Sequence, residues 1–200
     1  MPRAALTVAS IVDTAGALAD EVGFEAVSLS EVARRLGVRA PSLYAHVRDL
    51  AALRDGITEA ALRELGSRIA LATAGRSGRT ALRGLMQAHR GFASEAPGRW
   101  QSLQRRADQA VAASEAARSV VALTGAVLRG YALPESEHVH AIRLLGGAIA
   151  GYLALERAGS FAYRDPEPDV SWERAVDALD ALLRHWPAAP PQEGPRQEKS

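Results

Sequence analysis

The stretch Leu29-Ser-Glu-Val-Ala-Arg-Arg-Leu-Gly-Val-Arg-Ala-Pro-Ser-Leu-Tyr-Ala-His-Val-Arg48 carries most of the information on the fold. Ser28 and Glu31 are spaced as a capping box, which predicts a short helix that ends at Gly37. Pro41 suits the first turn of a third helix that runs through Val47. Two short helices joined by a glycine turn form a helix-turn-helix layout.

Working outward from this stretch, apolar residues at helical spacing predict a helix on each side of it. Residues 6–22 form the helix before it, and Asp49 caps a helix that runs to about residue 72. Glycines and a serine at 75–78 separate this part from further helices over 80–94, after Pro97, over about 108–130 and from Pro134 to about 157. Ser171 caps the last predicted helix, which ends near 186.

These patterns predict an all-α chain with four parts. A helix-turn-helix domain occupies residues 1–50, with the motif itself at about 29–48, and a connecting helix occupies 51–72. A C-terminal helical bundle spans 80–186, and a polar, proline-rich stretch at 187–200 is typical of a disordered tail.

Composition excludes several classes of protein. The chain has 200 residues, a net charge of +1 and no cysteine, which excludes disulfides, thiolate metal sites and cysteine nucleophiles. No window approaches the about 18–20 uninterrupted apolar residues of a membrane span, and no leader pattern opens the chain. We expect a cytoplasmic protein without a membrane partner. No catalytic motif or cofactor-binding loop is present, so we expect no enzyme activity and no cofactor.

The helix-turn-helix stretch resembles that of the tetracycline-repressor (TetR) family residue by residue. Ala33 is the small residue at the helix crossing, Gly37 makes the turn, and Leu43-Tyr44-x-His46-Val47 matches the end of the family's recognition helix. Gly23-Phe24-x-x-Val27-Ser28 matches the link between the first two helices. The resemblance implies a homodimer that places two recognition helices in successive major grooves of an operator in double-stranded DNA.

The resemblance also implies which residues meet DNA. Ser30, Ala40, Pro41 and Ser42 are expected to face base edges, while Tyr44 and His46 reach phosphates or bases. The amides near Asp49 and Leu50 would hold a phosphate, although Leu50 stands where the family often has a lysine. Residues 1–68 carry a net charge of −1, but from Arg34 to Arg48 there are four arginines and no acid. The predicted DNA-binding set is therefore Ser30, Arg39, Ala40, Pro41, Ser42, Tyr44, His46 and Arg48.

The second half resembles the branch of the same family that is named for a Trp-His-Gly signature. The stretches 87–98 and 143–156 carry this likeness, with Leu145, Ile149 or Ala150, and Gly151 near the signature positions. The resemblance implies a small-molecule effector pocket among the middle helices. The predicted lining is Met86, His89, Phe92, Trp100, Leu103 and Tyr152, and the alternative is that these are ordinary core residues.

Small residues at Gly147-x-x-x-Gly151 permit close helix packing, and the last helix has an apolar face. A dimer interface predicted from these features comprises Gly147, Gly151, Trp172, Val176, Leu179 and Leu183; the alternative is packing within one subunit. His138 and His140 do not share a helix face, so no metal site is predicted. The seven arginines from 76 to 106 favour a solvated surface over an anion site.

Together these features predict a ligand-responsive DNA-binding regulator, a repressor, that binds its operator as a homodimer and responds to a small molecule. The alternative is a helical small-molecule-binding or interaction protein without sequence-specific DNA binding. A helical-bundle enzyme would require polar groups that converge in the pocket, which the sequence does not show.

Overall fold

A computed structural model describes residues 6–187. The prediction of an all-α chain is confirmed over these residues, which contain helices and no strand. The helices are α1 (Val8–Val22), α2 (Leu29–Arg35), α3 (Leu50–Thr73), α4 (Gly78–Glu95), α5 (Pro97–Ser102), α6 (Gln109–Ala112), α7 (Glu115–Leu128), α8 (His138–Arg157) and α9 (Pro168–Arg184), with 3-10 turns at Phe24–Ala26, Ala40–Ala45 and Glu135–Glu137. The predicted tail lies outside the described residues beyond position 187.

The helix-turn-helix begins and turns where the sequence places it. The Ser28 hydroxyl accepts a hydrogen bond from the Glu31 amide at 3.3 Å, which caps α2. The second half of the predicted capping box is wrong, because the Glu31 carboxylate accepts from Arg34 instead. Gly37 takes a φ of +66°, a left-handed conformation that favours glycine at a helix end.

The predicted third helix is a 3-10 helix over Ala40–Ala45 rather than an α-helix to Val47. The segment connects the extended Arg39 to Asp49, which is also extended and caps α3 by accepting from the Ala52 amide at 2.8 Å. The tighter 3-10 form is frequent in such connectors, although this run of six residues is longer than most. The segment therefore presents its side chains from a tight turn.

Two further helix predictions are wrong in their boundaries. The single helix expected over 108–130 is divided into α6 and α7, because Ser114 stops the first and caps the second by accepting from the Ala117 amide. The last helix begins at Pro168 and not after Ser171. Proline suits this first position, since it has no amide hydrogen that would need an acceptor there.

Two separate hydrophobic cores stabilise the fold, and α3 contributes to both. Leu53 and Ile57 belong to the core of the N-terminal helices. Leu65 and Ile69, farther along α3, belong to the larger core built from α4, α5, α7, α8 and α9. A rotation of α3 about its axis would disturb both cores, so this helix mechanically links them.

The short helix α5 presses directly on α1. A Cβ built on Gly98 would lie 1.9 Å from the Ala19 carbonyl oxygen, so only glycine fits there. The next residue, Arg99, donates from its Nε to Asp20 of α1 at 2.7 Å and pairs with Glu64 of α3. These contacts tie the helix-turn-helix unit to the C-terminal helices.

Candidate nucleic-acid interface

The recognition segment Ala40–Ala45 is anchored by a few buried apolar side chains. Leu43 is fully buried and Val47 almost so, and both pack with Val32 and Ala33 of α2. Because Leu43 faces inward, its neighbours in the tight 3-10 turn face outward. The local sequence thus fixes which side of this segment is available to a ligand.

The structure places all eight predicted DNA-binding residues at the surface of this unit. Ala40 is half-buried. The other seven residues are exposed: Ser30, Arg39, Pro41, Ser42, Tyr44, His46 and Arg48. Tyr44 is a large ring that is 58% exposed. The ring is therefore available for contact with a partner, although a single exposed ring does not by itself indicate one.

Ion pairs occupy most of the arginines in the stretch from Arg34 to Arg48. Arg34 pairs with Glu31 and Arg35 with Glu21, each at 2.6 Å, and Arg48 pairs with Asp49 at 2.9 Å. The hydrogen bond from Arg34 lowers the pKa of Glu31 to about 2. Acids that lie outside the stretch therefore pair with three of its four arginines.

Arg39 is different from these three arginines. Its side chain is exposed, and within residues 6–187 it forms no ion pair. It immediately precedes the recognition segment, where the family resemblance implies a contact with DNA. Arg48 is also accessible, since its side chain is 82% exposed despite the pair with Asp49.

The start of α3, where the resemblance implies a phosphate, already holds a negative group. The Asp49 carboxylate accepts from the Ala52 amide at 2.8 Å and from Arg48. These hydrogen bonds hold the pKa of Asp49 below its usual value, and the bond from the Ala52 amide has the larger effect. A carboxylate at a helix N-terminus competes with a phosphate for the same positive end of the helix dipole.

The predicted effector-pocket residues lie in different surroundings. Three of them, Met86, Phe92 and Trp100, fill the C-terminal core. His89 and Leu103 are partly buried. Burial lowers the pKa of His89 to about 4, so the ring is neutral at physiological pH. Tyr152 is also partly buried and lines a cavity of about 460 Å³ beside α8 and α9.

The predicted dimer interface needs correction on α9. Trp172, Val176 and Leu183 are buried in the core of the protomer, so they offer no surface to a second copy. Leu179 is partly buried against the same core. The sequence does not distinguish the inward face of α9 from an interface, because the apolar face of a helix has the same pattern in both cases.

Gly147 and Gly151 on α8 are exposed, and no atom lies within 4 Å of a Cβ built on either. Apolar side chains surround them on the same helix, since Val139, Leu144 and Leu155 are 41–53% exposed. The stretch Glu135–Arg157 is long and apolar enough to cross a membrane by length and composition alone, with 22% of its most apolar window buried. His140 and Arg143 are exposed on the same side of the helix, because residues three or four apart share a helix face. The exposed surface of α8 is thus mainly apolar and carries two polar side chains.

The arginines between 76 and 106 mainly tie helices together, which the sequence did not indicate. Arg79 and Arg83 of α4 pair with Asp177 and Glu173 of α9 at 2.5 and 2.7 Å. Sequence reasoning also missed the contact of Gly98 and Arg99 with α1, for which Pro97-Gly98 was the only local signal. Among residues 6–187 no group of three or more potential metal-ligating side chains exists.

Comparison with known proteins gives two family models that together cover most of the chain. The model described as "Bacterial regulatory proteins, tetR family" matches residues 11–53, which include the helix-turn-helix. The model described as "Tetracyclin repressor-like, C-terminal domain" matches residues 82–179. The Trp-His-Gly branch stays a prediction.

Two curated relatives are transcriptional regulators by name. The uncharacterized HTH-type transcriptional regulator YobS of Bacillus subtilis (strain 168) is 29% identical over 181 residues, 90% of this chain and 89% of that protein. The uncharacterized HTH-type transcriptional regulator Rv0681 of Mycobacterium tuberculosis is 28% identical over 158 residues, 78% of this chain and 72% of that protein.

Solved structures share the fold. The crystal structure of TetR-Q116A from Acinetobacter baumannii AYE in complex with minocycline has a TM-score of 0.70 at 22% identity, covering 92% of this chain and 100% of that one. A protein of unknown function from Rhodococcus sp. RHA1 has a TM-score of 0.75 at 20% identity, covering 92% and 99%. The fold that this chain shares with the two solved structures has an N-terminal helix-turn-helix before a C-terminal helical bundle.

Proposed function

The chain belongs to the TetR family of DNA-binding transcriptional regulators, and on this basis we propose that it is a cytoplasmic, homodimeric repressor that a small molecule releases from a palindromic operator. The observation that carries the proposal is the recognition segment: buried Leu43 and Val47 hold it, while Pro41, Ser42 and Tyr44 are turned to solvent. A rigid, outward-facing segment of small residues allows close approach to base edges.

The exposed apolar face of α8 supports the homodimer. Gly147 and Gly151 let a second helix approach closely, and Leu144 and Leu155 supply apolar area beside them. A two-fold axis through this face would bring α8 of one protomer against α8 of its partner, an isologous contact. Burial of this face from water stabilises the pair at about 25 cal/mol per Å² of apolar surface.

The route from effector to DNA follows the two links between the cores. An effector favours whichever arrangement of the C-terminal helices it binds more tightly. Because Gly98 of α5 is pressed against Ala19, and Arg99 holds both Asp20 and Glu64, a displacement of α5 or α3 moves the helix-turn-helix unit. The spacing of the two recognition segments then departs from the about 34–36 Å of one DNA turn, and affinity falls.

Selection of bound duplexes from a random DNA pool at near-physiological salt tests the proposal. We expect a two-fold symmetric sequence with half-sites about one helical turn apart. Ser42→Arg and Tyr44→Ala should abolish this binding without changing helicity or dimer mass, because both side chains are exposed. Ser94→Arg on α4, also at an exposed serine, is the matched control and should bind normally.

Two results would contradict the proposal. A folded dimer that enriches no sequence, with or without added small molecules, would leave the chain a helical binding protein without sequence-specific DNA binding. Loss of helicity in both Ser42→Arg and Tyr44→Ala would place these residues in the core of the unit and not at a DNA interface.

A further inference from the structure

A cavity of about 460 Å³ opens beside the segment that joins α8 to α9. Tyr152 of α8 and Ser171 of α9 form two of its walls. The other lining residues belong to the joining segment and are Ser160, Phe161, Tyr163, Arg164, Asp165 and Pro166. The volume lies within the range of small-molecule sites, about 300–1,000 Å³. No residue of the recognition segment takes part in it.

Aromatic rings dominate one side of this cavity. The Tyr152 ring lies between two others, with its centroid 4.9 Å from that of Phe161 and 5.0 Å from that of Trp172. The Tyr152 hydroxyl donates to the Pro168 carbonyl at 3.0 Å, which orients the ring. Phe161 is partly buried and Tyr163 is 89% exposed, so ring faces and edges are available for stacking against a planar molecule.

Trp172 behind Tyr152 carries an unused hydrogen-bond donor. Its indole Nε1 is buried and has no hydrogen-bond partner, and the residue is only 1% exposed. Buried indole N–H groups usually have an acceptor, and an unpaired one costs free energy. Trp172 contacts Tyr152 and follows Ser171, both of which line the cavity, so the Trp172 ring lies directly behind the cavity wall.

Charge around the cavity favours an uncharged ligand. Its lining contains one base and one acid, Arg164 and Asp165. The nearby guanidinium of Arg90 lies 5.1 Å from the centre of the Trp172 ring, but it already pairs with Glu156 and, at 2.7 Å, with Asp169. The two lining charges have opposite signs, so a ligand with a net charge would meet a like charge as well as an opposite one, whereas an uncharged ligand avoids this repulsion.

We propose that this cavity binds an uncharged, planar aromatic molecule that bears a carbonyl oxygen. Its rings pack against Phe161 and against the Tyr152 ring in a displaced position, in which the carbonyl accepts a hydrogen bond from Trp172 Nε1. Through the Arg90 pairs with Glu156 of α8 and Asp169 of α9, occupancy changes how α4, α8 and α9 pack. Only the effector role of such a ligand rests on the proposed function; binding itself does not.

Two probes of matched shape test the site, 2-acetylnaphthalene and 2-ethylnaphthalene, of which only the first has a hydrogen-bond acceptor. In an NMR spectrum of the full chain labelled with ¹⁵N, each of the three tryptophans, Trp100, Trp172 and Trp186, gives one indole N–H signal. The signal that disappears in Trp172→Phe is that of Trp172. The ketone should shift the Trp172 signal downfield and leave that of Trp186, whose Nε1 donates to Glu137 at 3.0 Å.

Affinities measured by titration should separate the two probes. We expect the ketone to bind the unaltered chain about fivefold more tightly than the hydrocarbon, the effect of one net hydrogen bond, and Trp172→Phe to remove that difference. Phe161→Ala should weaken both probes about tenfold, whereas Leu71→Ala, at an exposed leucine of α3, should change neither.

An unchanged Trp172 signal at saturating ketone, or equal weakening by Phe161→Ala and Leu71→Ala, would overturn the proposal. If Trp172→Phe fails to fold, Phe161→Ala and the indole signal still decide the matter. Operator binding is measured separately: Ser42→Arg should bind the ketone normally while it fails to bind DNA. Ketone binding that leaves the operator complex intact would support the site and refute its effector role.

Discussion

Replacement of Arg39 by glutamine is the perturbation that tests the nucleic-acid interface most directly. Within residues 6–187, its side chain is exposed and forms no ion pair, unlike those of Arg34, Arg35 and Arg48. If Arg39 neutralises one DNA phosphate in each protomer of a dimer, its loss removes two such contacts. The salt dependence of operator binding reports this number directly.

The size of the effect follows from counterion release. Each neutralised phosphate contributes about −0.9 to the slope of log Kobs against log salt concentration. With Arg39 and the exposed Arg48 acting in both protomers, the slope of the unaltered chain should be about −4. Arg39→Gln should make this slope shallower by about 2. If the two proteins bind equally at 1 M salt, this change in slope weakens binding by the variant about 30-fold at 0.15 M salt.

Fluorescence anisotropy of the selected operator over a range of salt concentrations measures the slope. The charge-neutral double variant Glu31→Gln/Arg34→Gln is the control, because it removes an ion pair from the same stretch without changing net charge. Its slope should equal that of the unaltered chain. An unchanged slope for Arg39→Gln, or an equal change in the double variant, would refute the assignment of the electrostatic contact to Arg39.

Three further predictions concern dimerisation, the link between the cores, and pH. Leu155→Arg should convert the dimer, of about twice 21.2 kDa, to a monomer, as measured by light scattering. The control Leu71→Arg, at a leucine of α3 that is 81% exposed, should remain a dimer. If both variants are dimers, the α8 interface is contradicted. Gly98→Ala should lower the free energy of unfolding by about 2 kcal/mol through its clash with α1. Gly91→Ala, which meets its nearest atom at 3.7 Å, should raise it by about 1 kcal/mol, and equal effects would refute the tight contact. His89 binds a proton near pH 6.5 when unfolded but only at about pH 4 when folded, so stability falls as the pH is lowered from 6.5 to 4, by about 3 kcal/mol in total. Denaturation at fixed protein concentration should show that His89→Leu loses this part of the pH dependence.

The charge of the helix-turn-helix shows how sequence and structure divide the information. Along the chain, the absence of acids from Arg34 to Arg48 indicates a basic face. In space, Glu21 of α1 lies against Arg35, and Glu31 lies one turn before Arg34. Net charge over a stretch cannot reveal these pairs, because the acids lie outside the stretch while their side chains reach into it.

The C-terminal bundle was less predictable than the helix-turn-helix. Apolar periodicity located α9, but it could not distinguish a face buried in the protomer from one available to a second copy. Trp172 and Val176 are buried in the protomer, and the exposed apolar face is on α8, around Gly151. Both faces have the same spacing of apolar residues, and only the packing of α9 against α4 separates them.

The sequence by itself determined the all-α class, the helix starts that depend on a local capping side chain, and the turn at Gly37. It also determined the recognition segment, because each of these depends on residues within a few positions of one another. Tertiary structure decided that Arg39 alone among the stretch's arginines lacks an acidic partner within the described residues, that Gly98 meets α1, and that Trp172 keeps an unpaired N–H beside an aromatic cavity. The pairs Arg34–Glu31 and Arg48–Asp49 are local, but the other contacts join residues 14 to almost 80 positions apart, and no local pattern encodes them.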